Sequence, residues 1–239
     1  MQNILHEIPR PNKRFLQTIQ NVEVHDHVCL LYRDSQEGLA SAAAFIEAGL
    51  RKHDQCIYIS DDNTPEAVLQ ALEHAGITTE NMLETEQLVL GTKDGSYLEN
   101  GSFSPDTTIK VFAEASHQAT SKGFRAVRGC AEMTWQLADD SHTETEHLLE
   151  YEARINDELF PKHQVVGMCQ FNMNRFGAAA IREIIYTHPV VIIGGLMCEN
   201  IYYKPPGMHR VNSGNDLAEL EVKKMVNDVY RFAERRYGF

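Results

Sequence analysis

Read from the amino end, the chain alternates short unbroken apolar runs with stretches whose apolar residues recur every three or four positions. Val28–Tyr32 is the first unbroken run, and Gln36–Arg51 is the first periodic stretch, with Leu39, Ala43, Ile46 and Leu50 on one face. Gln55–Ser60 reads as a strand, followed by "DDNTPEAVLQALEHAG", where Thr64 caps a helix, Pro65 takes its first position and Gly76 stops it. Gln87–Gly91 is a short strand, and a glycine-bearing polar loop leads into a helix over Thr107–Lys122. Strand Arg125–Ala131, helix Glu144–Leu159, strand Val165–Phe171, helix Ala178–Thr187 and strand Val190–Ile193 complete the series before Gly194-Gly195. Alternation of this kind predicts an α/β fold: a mostly parallel sheet with helices on both faces, wound as a three-layer doubly wound sandwich.

The tail breaks the rhythm. Residues 1–204 read as one body, and 205–239 as a proline- and glycine-bearing linker before a charged C-terminal helix. Leu217, Leu220, Met225, Val229 and Phe232 follow a roughly helical period. Two outcomes suit that stripe: packing on the sheet, or a dimerising and signal-transmitting helix. The expectation adopted is a homodimer touching through Leu217, Leu220 and Val229.

Charge narrows the partners. A formal net charge of −12 without a basic cluster argues against direct nucleic-acid binding, which needs grouped Lys and Arg. No apolar run reaches the ~18 residues of a membrane helix, and the first residues lack a signal-like apolar segment, so a cytoplasmic protein off the membrane is expected. The five cysteines show no C-x-x-C pair, and disulfides are not expected.

Candidate chemistry starts at "VHDHVCLLYRDSQEGLASAAAFI", which has the strand–turn–helix layout of a phosphate-binding loop. Such a loop would carry G-x-x-x-x-G-K-[ST], with a lysine for the phosphates. Here Asp34 and Glu37 stand in the turn and no lysine does. The carboxylates would cap the helix themselves, so no ATP is expected. In an open α/β sheet ligands bind beyond the carboxyl ends of the strands. Tyr32, Asp61, Asp62, Glu132, Trp135 and Asn172 fall there, and a cleft holding the single tryptophan and several carboxylates suits a small organic ligand. Arg128 and Trp135 are expected to border it. His27 and Cys29 share a strand face. A thiol–imidazole cluster could bind a soft metal or sense redox state, but one H-x-C without close-spaced ligand pairs favours a structural histidine, and no metal is expected. His188-Pro189 marks a helix end and is a further site candidate.

The runs "HVCLLY", "FIEAGLRKHDQCIYISDD", "RGCAEMTW", "EYEARINDEL", "GMCQFNMNRF" and "IIYTHPVVIIGG", in this order and spacing, resemble the MEDS domain, the methanogen/methylotroph sensory domain first recognised in a regulator of dichloromethane degradation. The resemblance implies a relative of the RecA/KaiC ATPases without the Walker A motif. It implies a sensor of hydrocarbon-derived molecules acting through a histidine kinase or a transcription regulator. A RecA-like strand order would set the His27 strand between those bearing Cys130 and Cys169, and Asn172 stands where relatives often carry aspartate. His27, Cys29, Tyr32, Glu37, Asp61, Asp62, Arg128, Glu132, Trp135, Cys169, Asn172 and His188 are thus the candidate ligand-binding residues of a non-catalytic sensor. The alternatives are a nucleotide-binding enzyme using Glu132 with Asp61 or Asp62, and a protein-interaction module that needs no ligand.

Overall fold

A computed structural model describes residues 12–99, 102–137, 142–205 and 218–237. Six consecutive buried residues form β1 (His27–Tyr32), and the capping side chain of Asp34, accepting from the Gln36 amide at 2.8 Å, starts α2 (Ser35–Arg51). Then follow β2 (Gln55–Ser60), α3 (Pro65–His74), α4 (Thr79–Glu84) and β3 (Leu88–Thr92). Thr64 caps α3 and Gly76 leaves it at φ 90°, as its sequence signals predict. A small antiparallel pair, β4 (Leu98–Glu99) and β5 (Ser102–Phe103), precedes α5 (Pro105–Ser121). The chain continues through β6 (Val127–Glu132), a 3₁₀ turn at Thr134–Leu137, α6 (His142–Glu158), β7 (Val165–Asn172), α7 (Ala178–Thr187), β8 (Val190–Ile193) and β9 (Leu196–Glu199). A short α1 (Lys13–Ile19) precedes β1, and α8 (Ala218–Tyr237) closes the described chain.

The main sheet runs β3-β2-β6-β7-β1-β8-β9, parallel except for the β8–β9 pair. Two apolar cores lie on its two faces. One holds Leu31, Ala131, Cys169 and Phe171 under α5, α6, α7 and α8, and the other holds Leu30, Tyr58, Cys130 and Met168 under α1, α2 and α3. Strand order corrects one expectation: β1 sits between β7 and β8, and β7, carrying Cys169, is the strand that separates it from β6.

The C-terminal helix lies against the first core. Val222, Met225 and Val229 of α8 are 8, 3 and 2% exposed and belong to the first core, packed against α7 and β9. Arg182 of α7 pairs with Glu221 at 2.8 Å, and Tyr202 donates to Asp228. Met225 and Val229 of the stripe are therefore covered by the chain itself. Of the three residues expected at a dimer contact, Val229 is inside, Leu220 is 68% exposed, and Leu217 lies outside the described residues. No described helix is long and apolar enough to cross a membrane.

At the amino ends of the strands a buried ion pair ties α2 to the sheet. Arg128 Nε lies 2.9 Å from Asp54, both fully buried, and Arg125 holds the other Asp54 oxygen at 2.7 Å. The Arg128 guanidinium also stacks over Phe45, 4.6 Å from the ring centre.

Candidate functional site

Beyond the carboxyl ends of β2, β6 and β7, the expected carboxylates do meet, but they are fully engaged with the chain itself. Glu132, fully buried, accepts from the Tyr58 hydroxyl at 2.6 Å, from the amides of Asp61 and Asn63 at 2.8 and 3.0 Å, and from Asn63 Nδ2 at 2.7 Å. Asp61 pairs with Lys93 and accepts from Thr134, while Asp62 pairs with Arg175. Asn172 accepts from the Asn174 amide, and the buried Tyr32 ring packs against the start of α2 at Gly38. Glu37 lies in the first turn of that helix. Glu132 is the post to which the β2–α3 loop is tied. Glu132→Gln turns one acceptor into a donor facing donors, so an unsatisfied buried group should cost about 1–3 kcal/mol of stability, read as a lower denaturant midpoint at an unchanged slope. An unchanged midpoint would show that the loop holds itself.

Arg128 and Trp135 do not share a border. Arg128 opens β6 and reaches Asp54 at the amino end, whereas Trp135 follows its carboxyl end. Trp135 is 3% exposed and stacks on Tyr97 with centroids 5.2 Å apart, beside Phe103 at 4.9 Å. Its indole nitrogen finds no acceptor among the described residues.

Beneath this aromatic group, between the sheet and α5 and α6, lies an apolar cavity of about 30 Å³. Tyr97, Phe112, Gly129, Tyr151 and Cys169 help to line it. Its volume suits about two water-sized groups. An apolar lining favours an apolar occupant over water.

Next to the cavity, three residues singled out in the sequence converge: His27 on β1, Cys169 on β7, and His188 just after α7. Glu152 on α6 completes the group. Its carboxylate Oε2 lies 3.2 Å from His27 Nε2 and 3.3 Å from His188 Nε2, and Cys169 Sγ is 3.6 Å from His27 Nε2. Cys29 lies beside Cys169 in register, on the same face. Cys130 does not belong here. Ala131 is the register partner of Cys169, so the pleat turns Cys130 to the opposite core.

Second contacts orient both rings. Asn156 Nδ2 donates to the carbonyls of Glu152 and Thr187, so its Oδ1 faces His27 Nδ1 at 3.0 Å as an acceptor. His188 Nδ1 donates to the Ile184 carbonyl at 2.7 Å. With both Nδ1 atoms committed as donors, each neutral ring presents a bare Nε2 lone pair to the group. Burial, then the neighbouring His188, pushes the His27 imidazole down to about 4.

Every residue of the cavity lining and of this group falls within 26–189, the stretch that matches the MEDS family, the methanogen/methylotroph, DcmR sensory domain. The chain belongs to the MEDS family. It is also 20% identical over 168 residues to the transcriptional repressor DcmR of Methylorubrum extorquens, across 70% of this chain and 60% of that protein. The chain thus spans about 60% of the length of this curated relative. The crystal structure of the uncharacterized protein PH0321 from Pyrococcus horikoshii, in complex with an unknown peptide, matches with a TM-score of 0.54 at 16% identity. That match covers 75% of this chain and 81% of the other, and shares the fold alone. Residues 26–189 are thus a sensory domain of the MEDS type. Glu152 was missed in the sequence because "EYEARINDEL" reads as a charged surface helix, although Glu152 and Asn156 stand one turn apart on it.

Proposed function

We propose that this MEDS domain senses a small, weakly polar organic molecule of the hydrocarbon-derived class, without turning it over. We further propose that it passes the bound state to a histidine kinase or a transcription regulator. The observation that carries the reading is the apolar cavity lined by Tyr97, Phe112 and Tyr151, inside the matched region and next to Trp135, which stacks on Tyr97. The kinship with a transcriptional repressor supports a regulatory output. Nucleotide chemistry fits poorly, because Asp34 already occupies an amide at the start of α2. Magnesium-ATP should bind no better than millimolar, and micromolar binding by calorimetry would restore the enzyme reading.

Gly129 gives a direct test of the cavity. A methyl group built there meets nothing closer than 3.9 Å, so Gly129→Ala fills space without a clash. The variant should keep the fold and gain up to about 0.8 kcal/mol from the added buried carbon. Trp135 is the chain's single tryptophan and reports on the site. Dichloromethane and short alcohols, titrated as probes, should shift its fluorescence saturably in the parent and not in Gly129→Ala. Identical titrations in the two proteins would remove this cavity as the site.

A further inference from the structure

We propose that His27, Glu152, Cys169 and His188 form a closed binding site for a divalent transition-metal ion of the zinc class. The proposal rests on distance, donor orientation and charge, and each points the same way.

Distance comes first. A tetrahedral ion with bonds of about 2.0–2.1 Å to nitrogen and oxygen and about 2.3 Å to sulfur spaces its ligands at about 3.3 Å for N···O and 3.6 Å for N···S. The observed separations are 3.2 and 3.3 Å from the two imidazoles to Glu152, and 3.6 Å from His27 to Cys169. No pair of the four donor atoms exceeds 4.8 Å, and small χ adjustments of roughly 1 Å close the wider ones.

Orientation agrees. Metal-bound histidines donate their other ring nitrogen to a carbonyl or similar acceptor, which fixes the ring and leaves a lone pair for the ion. Asn156 and the Ile184 carbonyl supply those acceptors for His27 and His188. The lone pairs therefore point at each other's partner, Glu152, rather than sharing a proton with it. Neither Glu152 oxygen, nor His188 Nε2, has a hydrogen-bond partner among the described residues.

Charge completes the case. His27, Glu152 and His188 are fully buried and Cys169 is 6% exposed, in a part of the core where a lone carboxylate would be left uncompensated. A dication bound by one carboxylate, one thiolate and two neutral imidazoles is neutral overall. Binding would release the thiol proton to solvent and close the site with four protein ligands, as structural zinc sites do. It would also pin α6 and the end of α7 to the strands β1 and β7.

The whole chain, produced with zinc in the medium, should carry about one equivalent of metal by mass spectrometry of the eluted ions. Cys169→Ser and His188→Gln should each lower that content about tenfold or more. Cys130→Ser, on the opposite face, should leave it unchanged. Because a ligand variant could fail to fold, the parent and Cys169→Ser are also refolded with cobalt(II). The parent should show a thiolate-to-cobalt charge-transfer band in the near ultraviolet, together with the visible bands of a tetrahedral site, and Cys169→Ser should lose the charge-transfer band. A parent that holds less than a tenth of an equivalent by both routes overturns the proposal. So does a cobalt spectrum that Cys169→Ser leaves intact.

Discussion

Ending the chain at Asn215 is expected to leave a protein without a cooperative unfolding transition. The deletion removes α8, whose Val222, Met225 and Val229 are 8, 3 and 2% exposed within the first core. Each such side chain contributes about 1.5–3 kcal/mol by burial, so the three together reach about 5–9 kcal/mol. That is comparable with the roughly 5–15 kcal/mol that holds a whole domain folded. The chain entropy freed by deleting the helix offsets part of the loss, but the deletion also bares the apolar faces of α7 and β9 to water. It leaves Arg182 without Glu221 as well. Circular dichroism through a urea titration decides the matter. A truncated protein that melts cooperatively at the parent's midpoint would mean that α8 is an appendage, and the dimerising role expected from its sequence would return.

The tail shows why part of the fold was hidden in the sequence. The apolar stripe of α8 says that one face must be buried, and it looks the same whether the cover is a second chain or the chain's own sheet. A linker of proline and glycine leaves both open. The parallel strands were legible for the opposite reason. A strand covered on both faces must be mostly apolar, as the runs of β1 and β7, buried at every position, are, and the intervening helices announce themselves through Asp34, Thr64 and Gly76.

The candidate site was legible residue by residue, and its grouping was not. His27, Cys169 and His188 stood out by type and position, but strand order and pleat decide which of them meet. Cys130 and Cys169 look alike in sequence, and the register that pairs Ala131 with Cys169 sends Cys130 to the other core. Glu152 stands on the same helix stripe as Leu148, Ile155 and Leu159, and that period is the signal that could have marked it as buried. Glu132, Asp61 and Asp62 were correctly gathered at one end of the sheet, and only their hydrogen bonds show that they hold loops in place.

The second large effect is expected at the opposite end of the sheet, where Arg128 has no solvent to fall back on. Asp54→Ala strips a fully buried guanidinium of its carboxylate and should cost about 3–5 kcal/mol, since the unpaired charge stays in the core. Gly49 provides the finer measurement. Replacing a helical glycine with alanine ordinarily stabilises by about 1 kcal/mol. Here the new methyl would sit 2.3 Å from Arg128 Cδ, 2.4 Å from its Nε and 2.8 Å from Cys56 Sγ, so α2 must move or the ion pair must break. Gly49→Ala should therefore destabilise, with the midpoint of a urea titration falling at constant slope. The cause can be isolated by repeating the substitution in an Arg128→Ala background. There the guanidinium stem is gone and most of the penalty should vanish, leaving a coupling between the two positions of about 1–3 kcal/mol. Equal penalties in both backgrounds would place the clash at Cys56 or in the helix itself, and the account of Gly49 as the seat of Arg128 would fail.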